Sequence, residues 1–372
     1  MNSKKTSLIL LLVIFCTRIQ AQNDSLKTTK PFSFHVLYIG DVVVNFDGGI
    51  KTGATYLGLI NANVHFDTKS SKWWEGGEAY IDIANTHGGK PSEELVGDFQ
   101  GVSNIEAGNQ TFLYELWYKQ NFRKLHFIIG LQDLNTNFSV SEYGALFTNS
   151  SFGIQSSMAD NIPIPIFPLT ALGAIAQYNI SDYVFFQAGI FDGTPDDFES
   201  NPYNINWKLS SQQGYLAVSE FQLIKSLLKG QKGTYKFGFY FHEHNDTINL
   251  EQRNGGFYFV GDQQINNHLA LFSQIGLSPK TLNLHNHYLS IGLNYTGLII
   301  QRPIDQIGFA VAFAGIDGNS IGSETTLELT YRFHLNKWMY VRPDIQYVIN
   351  PAGTKAKLRN AIVGFVRVGL ML

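Results

Sequence analysis

Two pairs of histidines, His242 with His244 and His285 with His287, sit two residues apart. That spacing sets both imidazoles of a pair on one face of a β-strand, where they could act as metal ligands. No Cys, Asp or Glu spacing completes either set, so neither metal nor cofactor is expected. The chain also lacks a G-x-S-x-G elbow, a P-loop and a dinucleotide fingerprint, which leaves hydrolytic and nucleotide chemistry without a motif.

A different kind of chemistry is concentrated on polar faces that also carry aromatic rings. Glu115 stands beside Trp117, Tyr80 between Glu78 and Asp82, Arg332 beside Glu328, and Arg342, Asp344 and Gln346 alternate with Val341, Ile345 and Tyr347. A ring can stack on the apolar face of a pyranose while carboxylates and guanidinium groups bind its hydroxyls. Charged groups facing one another across a lumen would also order water in favour of hydroxyl-rich solutes. The candidate residues are Asp82, Glu115, Trp117, Asp133, Asn135, Glu328, Arg332, Arg342, Asp344 and Gln346.

The elements that must hold these groups have a period of two. Over 324–333, Leu327, Leu329, Tyr331 and Phe333 alternate with Glu328, Thr330 and Arg332. Tyr235, Phe237, Phe239 and Phe241 alternate in the same way with Lys236, Tyr240 and His242. A third row, Phe112, Tyr114, Leu116 and Tyr118, opposes Glu115, Trp117 and Lys119. Ten-residue segments of this kind are the signature of a barrel strand, apolar towards lipid and polar towards a lumen, with aromatic girdles near the ends.

Strands are expected near 32–46, 54–67, 75–86, 111–122, 124–132, 170–180, 182–191, 212–224, 232–243, 254–260, 265–277, 286–296, 304–314, 323–335, 338–349 and 358–372. That is about sixteen antiparallel strands, an even number, in one all-β transmembrane barrel. Glu220 interrupts the pattern of the eighth, the tenth is short, and 34–46 is apolar on both faces. Long connections follow strands three, five and seven and alternate with short ones, as external loops alternate with periplasmic turns. The longest, about 133–169, follows strand five and is expected to fold into the lumen as the constriction.

Composition agrees. Charged residues are 15% of the chain, well below the roughly 25% of a usual soluble domain, whereas aromatics reach 14%. Lys4 and Lys5 precede the apolar run from Leu8 to Cys16, and Ala21 offers a cleavage point, which is the order of a secretory signal. The run is far short of the roughly 20 residues of a membrane helix. Residues 1–21 are therefore expected to be a cleaved signal peptide, 22–31 a short periplasmic segment and 32–372 a single barrel domain. Removing Lys4, Lys5 and Arg18 leaves 24 basic against 30 acidic residues, which gives no footprint for nucleic acid. Cys16 is the only cysteine, so the mature chain would hold no disulfide.

The chain resembles the carbohydrate-selective porins of the OprB type. The resemblance is carried by 96–107 with Tyr114-Glu115-Leu116-Trp117-Tyr118, by 130–135, 146–153 and 166–173 in the long connection, and by 188–193 and 343–351. It extends over nearly the whole mature chain; the terminal Leu372 departs from the usual aromatic end. It implies a sixteen-stranded outer-membrane barrel that passes small sugars by facilitated diffusion, alone or as a homo-trimer. Three other readings have discriminating tests. A general diffusion porin would pass solutes by size alone, a barrel hydrolase would place a Ser-His pair near the outer leaflet, and a soluble lectin would bury the Leu327, Leu329, Tyr331 face.

Overall fold

The computed structural model describes residues 30–225, 227–228, 230–245, 251–316, 322–353 and 358–372. The expected signal peptide, Cys16 included, and most of the 22–31 segment lie outside these residues.

Alternation over segments this long favours pairing with two neighbours at every strand, and in hydrocarbon the only arrangement that leaves no open edge is a closed ring. The strands are β1 (Phe32–Gly49), β2 (Gly53–Asp67), β3 (Gly77–Gly88), β4 (Gln110–Phe122), β5 (Leu125–Gln132), β6 (Ala171–Asn179), β7 (Val184–Asp192) and β8 (Tyr215–Ile224). They continue with β9 (Gly233–Asn245), β10 (Glu251–Gln264), β11 (Leu269–Leu277), β12 (His287–Thr296), β13 (Gln306–Gly315), β14 (Ser323–Asn336), β15 (Met339–Ile349) and β16 (Arg359–Met371). Each pairs antiparallel with its sequence neighbours, and β1 pairs with β16 from Leu37↔Met371 to Gly49↔Arg359, closing the barrel. Each of the sixteen expected segments carries one strand. The long connections 89–109, 133–170 and 193–214 emerge at one end, and turns such as 123–124 and 337–338 lie at the other.

The outer wall is apolar. Leu329, Phe237, Phe239 and Ile345 all point outward and are exposed, and Trp73, Trp74, Tyr183 and Trp338 ring the turn end. Such rows exposed to water would be a severe liability, whereas facing acyl chains they are the expected surface. No helix among the described residues is long and apolar enough to cross a membrane, so the crossing is made by strands.

Inside, two expectations need correction. Phe112 and Tyr114 do not share the lipid face with Leu116. Asp82 pairs with Glu115 but Ile83 pairs with Leu113, so Tyr114 is the extra residue of a β-bulge. A bulge shifts the alternation by one, and Phe112 turns inward, where it is buried against Phe198 and Phe167. The inner face is also not uniformly polar. Beneath the long loop it is apolar, with Leu216 and Val218 of β8, Tyr240 of β9, Tyr258 and Val260 of β10 and Phe272 of β11 all buried. This loop contact explains the irregular look of strand eight: Glu220 keeps the inward register of Leu216 and Val218. Strand ten is not short, since β10 runs 14 residues. The 34–46 stretch has apolar residues on both faces because Val43 faces inward under the 89–109 loop.

Candidate functional site

Two loops fill the loop end of the barrel, and the sequence shows how each is bent into it. In 89–109, the helical turn Ser92–Val96 ends at Gly97, whose φ of 79° is left-handed, a conformation glycine adopts without strain. In 133–170, Asp133 caps the helical turn Leu134–Asn137 by accepting the Asn135 amide at 2.6 Å, and Asn149 caps Ser150–Phe152 by accepting the Ser151 amide at 3.1 Å. Leu134, Phe138, Ile154, Met158, Ile162 and Ile164 of the long loop pack against the apolar wall. Burying each such side chain contributes about 1.5–3 kcal/mol, so the loop is part of a core.

The polar part of the wall then pins the loops by their backbone amides. Glu328 of β14 accepts the Thr148 amide at 2.5 Å, the Thr148 hydroxyl at 2.9 Å and the Asn149 amide at 3.0 Å. Asp262 of β10 accepts the amides of Glu142 and Tyr143 and the Ser141 hydroxyl. Glu220 of β8 accepts the Ser139 amide at 2.8 Å. Glu115 of β4 accepts the Asp133 amide at 3.1 Å, and Glu324 of β14 accepts those of Phe99 and Gln100. Each bond gives a loop donor a buried acceptor; five carboxyl groups on four strands thus hold the lumen segments in place.

This arrangement divides the ten sequence candidates. Glu328, Arg342, Asp344 and Gln346 do face inward, but they are sealed beneath the long loop. Arg342 donates to the Leu146 carbonyl, and Gln346 donates to Val102 O and Thr148 Oγ1, each at 2.8 Å. Glu328, Arg342 and Gln346 seat the loops, and Asp344 is buried beside Thr330 of the neighbouring strand, which corrects the expectation that the four line open space. Glu115 belongs with them through its bond to Asp133. Asp82 is buried under the Asn61 amide at 3.0 Å. Trp117 is half-buried and stacks on Tyr80 with ring centroids 5.0 Å apart and planes 22° from parallel. Arg332 lies over the Tyr340 ring at 5.1 Å. Asp133 and Asn135 come together at open space.

That space is a cavity of about 390 Å³ between the two loops. Besides Asp133 and Asn135 it is lined by Phe99, Asn104, Glu106, Asp160 and Phe167. None of these five was singled out as a site residue from sequence, since they lie in segments without period. Burial, with the charge of Asp98 nearby, pushes the Glu106 carboxyl up to about 7. Burial also raises Asp133, against the lowering effect of its bonds from Tyr114 and Asn135. The enclosing walls and Asp98 push Asp160 upward too, but its side chain stands exposed in the cavity, where water screens the effect. Towards the turn end, Lys119, Asn121, His126, Gln177 and Gln222 line a second, polar cavity of about 270 Å³. The histidine pairs are engaged elsewhere: His242 bonds the Gly193 carbonyl at 2.6 Å and His285 packs on Phe99. Among the described residues no three His, Cys, Asp or Glu are placed to hold a metal.

A closed sixteen-stranded barrel narrowed by in-folded loops is channel architecture, and the family model for the carbohydrate-selective porin, OprB family, matches residues 51–371. The chain belongs to the OprB family of carbohydrate-selective porins. It is 23% identical to Porin B of Pseudomonas aeruginosa over 402 residues, covering 91% of this chain and 87% of that protein. A putative porin, QuiX, of Acinetobacter baylyi is 22% identical over 383 residues, covering 87% of this chain and 85% of that one. The solved high-pH structure of Pseudomonas putida OprB shares the fold with a TM-score of 0.82 at 22% identity, covering 92% of this chain and 94% of that one. This OprB-family chain is therefore a sugar-selective porin of the bacterial outer membrane, a channel and not an enzyme.

Proposed function

We propose that sugars cross this porin through the cleft between loops 89–109 and 133–170 and then the polar cavity at the turn end, by passive diffusion. The observation that carries this reading is the lining of the cleft, where Phe99 and Phe167 supply apolar faces and Asn104, Asp133 and Asn135 supply hydrogen-bonding groups. Its volume of about 390 Å³ falls in the range of about 300–1,000 Å³ typical of small-molecule sites. A wall of this composition rewards a solute with both an apolar ring face and hydroxyls, and it does so weakly enough for release. Residues 1–21 are proposed to deliver the chain to the membrane as a cleaved export signal, which the N-terminal sequence of the mature protein would test.

Liposome swelling tests the pathway. Hexoses are expected to enter faster than size-matched amino acids, and Asn135→Leu with Phe167→Leu is expected to slow hexoses selectively. Equal rates for the two solute classes in the native protein, or hexose rates untouched by both substitutions, would remove this pathway.

A further inference from the structure

The cleft is chemically one-sided. Among the described residues that line it, three carry carboxyls, Glu106, Asp133 and Asp160, and none is a lysine or arginine. Lys90, which lines an adjoining cleft, has its ammonium on Glu93 at 2.9 Å. His285, whose ring packs on Phe99 at 4.5 Å, is held below the usual imidazole range by burial.

An observation independent of charge points the same way. Gln100 and Ser156 also line the cleft, each only 2% exposed, yet Gln100 Oε1 and Ser156 Oγ have no hydrogen-bond partner. The amide nitrogen of Gln100 is committed to Glu324 at 3.2 Å, so the free atom is the acceptor. Buried polar atoms are normally satisfied, and an unmet one calls for a partner from outside the protein. Gln100 Oε1 can only accept, and the Ser156 hydroxyl can accept as well as donate, so with the carboxyls the cleft offers mainly acceptors. An ammonium group has three donors and no acceptor.

Resting on the pathway proposed above, we propose that the cleft selects permeants by charge. It favours sugars that carry a protonated amine over neutral sugars of the same size, and disfavours sugar acids and sugar phosphates. Glu106 and Asp160 are the specificity-determining residues. Asp133 contributes less because its oxygens already accept from Tyr114 and Asn135. Acidic rings act in this way in cation-selective channels. The charge is adjustable, because burial pushes the Glu106 carboxyl up to about 7. The groups that act on it are Ser92, the Glu93 amide, Asp98 and Lys90 of its own loop, and Asp98 in turn interacts with Asp160 of the long loop and Glu324 of β14. Ionisation as pH rises therefore sharpens the preference.

The test is single-channel block of the full-length porin in planar bilayers by glucose, methyl 6-amino-6-deoxyglucoside hydrochloride, whose alkylamine stays mostly protonated at both pH values, and potassium gluconate, at pH 6 and pH 8. At pH 8 the amino sugar is expected to block at up to about five-fold lower concentration than glucose, the effect of one partly solvated ion pair, with gluconate the weakest. The ratio is expected to shrink at pH 6 and in the near-isosteric Glu106→Gln and Asp160→Asn variants, whose folding is checked by heat-dependent gel migration. Block by glucose with equal block by the two charged sugars, or stronger block by gluconate, overturns the charge selection and leaves the pathway standing. No block by any of the three removes the pathway, and this inference with it.

Discussion

Arg367 and Asp41 face each other across the seam that joins the last strand to the first, as register partners in the β1–β16 pair. The guanidinium donates Nε to Oδ1 and Nη2 to Oδ2, each at 2.6 Å, and Ser103 of the 89–109 loop donates to the same carboxylate at 2.8 Å. One buried ion pair thus spans the closing seam and moors a lumen loop. Arg367→Met leaves a buried, uncompensated carboxylate, and is expected to cost about 3–5 kcal/mol, whereas removing both charges is far milder. Urea titration of the detergent-folded barrel should show Arg367→Met losing more than the Asp41→Leu/Arg367→Met double variant. The reverse order would mean that the pair contributes nothing at the seam.

The same logic applies to the pins of the long loop. Glu328→Ala removes the acceptor of three hydrogen bonds from Thr148 and Asn149, and bonds to a charged group are worth about 1.5–3 kcal/mol apiece at most. Because β14 keeps both of its backbone ladders, the barrel is expected to fold. The loop should loosen, with a larger open conductance and entry of oligosaccharides that the native channel excludes. Unchanged conductance with an unchanged size cut-off would show that apolar packing alone seats the loop.

Loop 89–109 should respond to pH. Burial, reinforced by the charge of Glu324, holds Asp98 well above the usual carboxylate range, and Glu106 sits at about 7. Both folded-state values lie above those of an unfolded chain, near 4. The native state therefore binds more protons between about pH 4 and 8, and stability falls as pH rises through that window, levelling off above it. Hydrogen exchange over 89–109 is expected to be faster at pH 8.5 than at pH 5.5 after correction for intrinsic rates, and Asp98→Asn should flatten the difference. Protection that rises with pH would contradict the sign.

Much of the barrel is legible in the sequence, because a lipid-facing wall imposes alternation on every strand. Leu327 and Leu329, or Phe237 and Phe239, announce their face without help from any neighbour. The bulge at Tyr114 is not legible, since it depends on what the neighbouring strand pairs with, and it turned Phe112 to the wrong side. The charged inner residues are legible as inward-facing but not by role. Glu328 and Gln346 look like lumen groups until a loop some 180 residues away is laid over them. Glu220 looks like an error in the pattern for the same reason. The cleft itself is built from Phe99, Asn104, Glu106 and Asp160, whose positions follow from where the loops are pinned and from no local periodicity.

Trp117 and Tyr80 are cross-strand partners, and their stacked rings remain half-buried on the inner wall. Aromatic pairs contribute about 0.5–1.5 kcal/mol beyond area burial. A sugar ring sliding along the exposed part of this pair would use the same kind of contact. Trp117→Ala is therefore expected to raise the glucose blocking constant by roughly two- to twelve-fold, the equivalent of that energy, while Trp117→Phe retains most of the affinity. The readout is current noise at a series of glucose concentrations, with potassium conductance as the control. If Trp117→Ala widens the potassium conductance but leaves the blocking constant where it was, the pair only fills the wall, and stacking on the permeant is confined to Phe99 and Phe167.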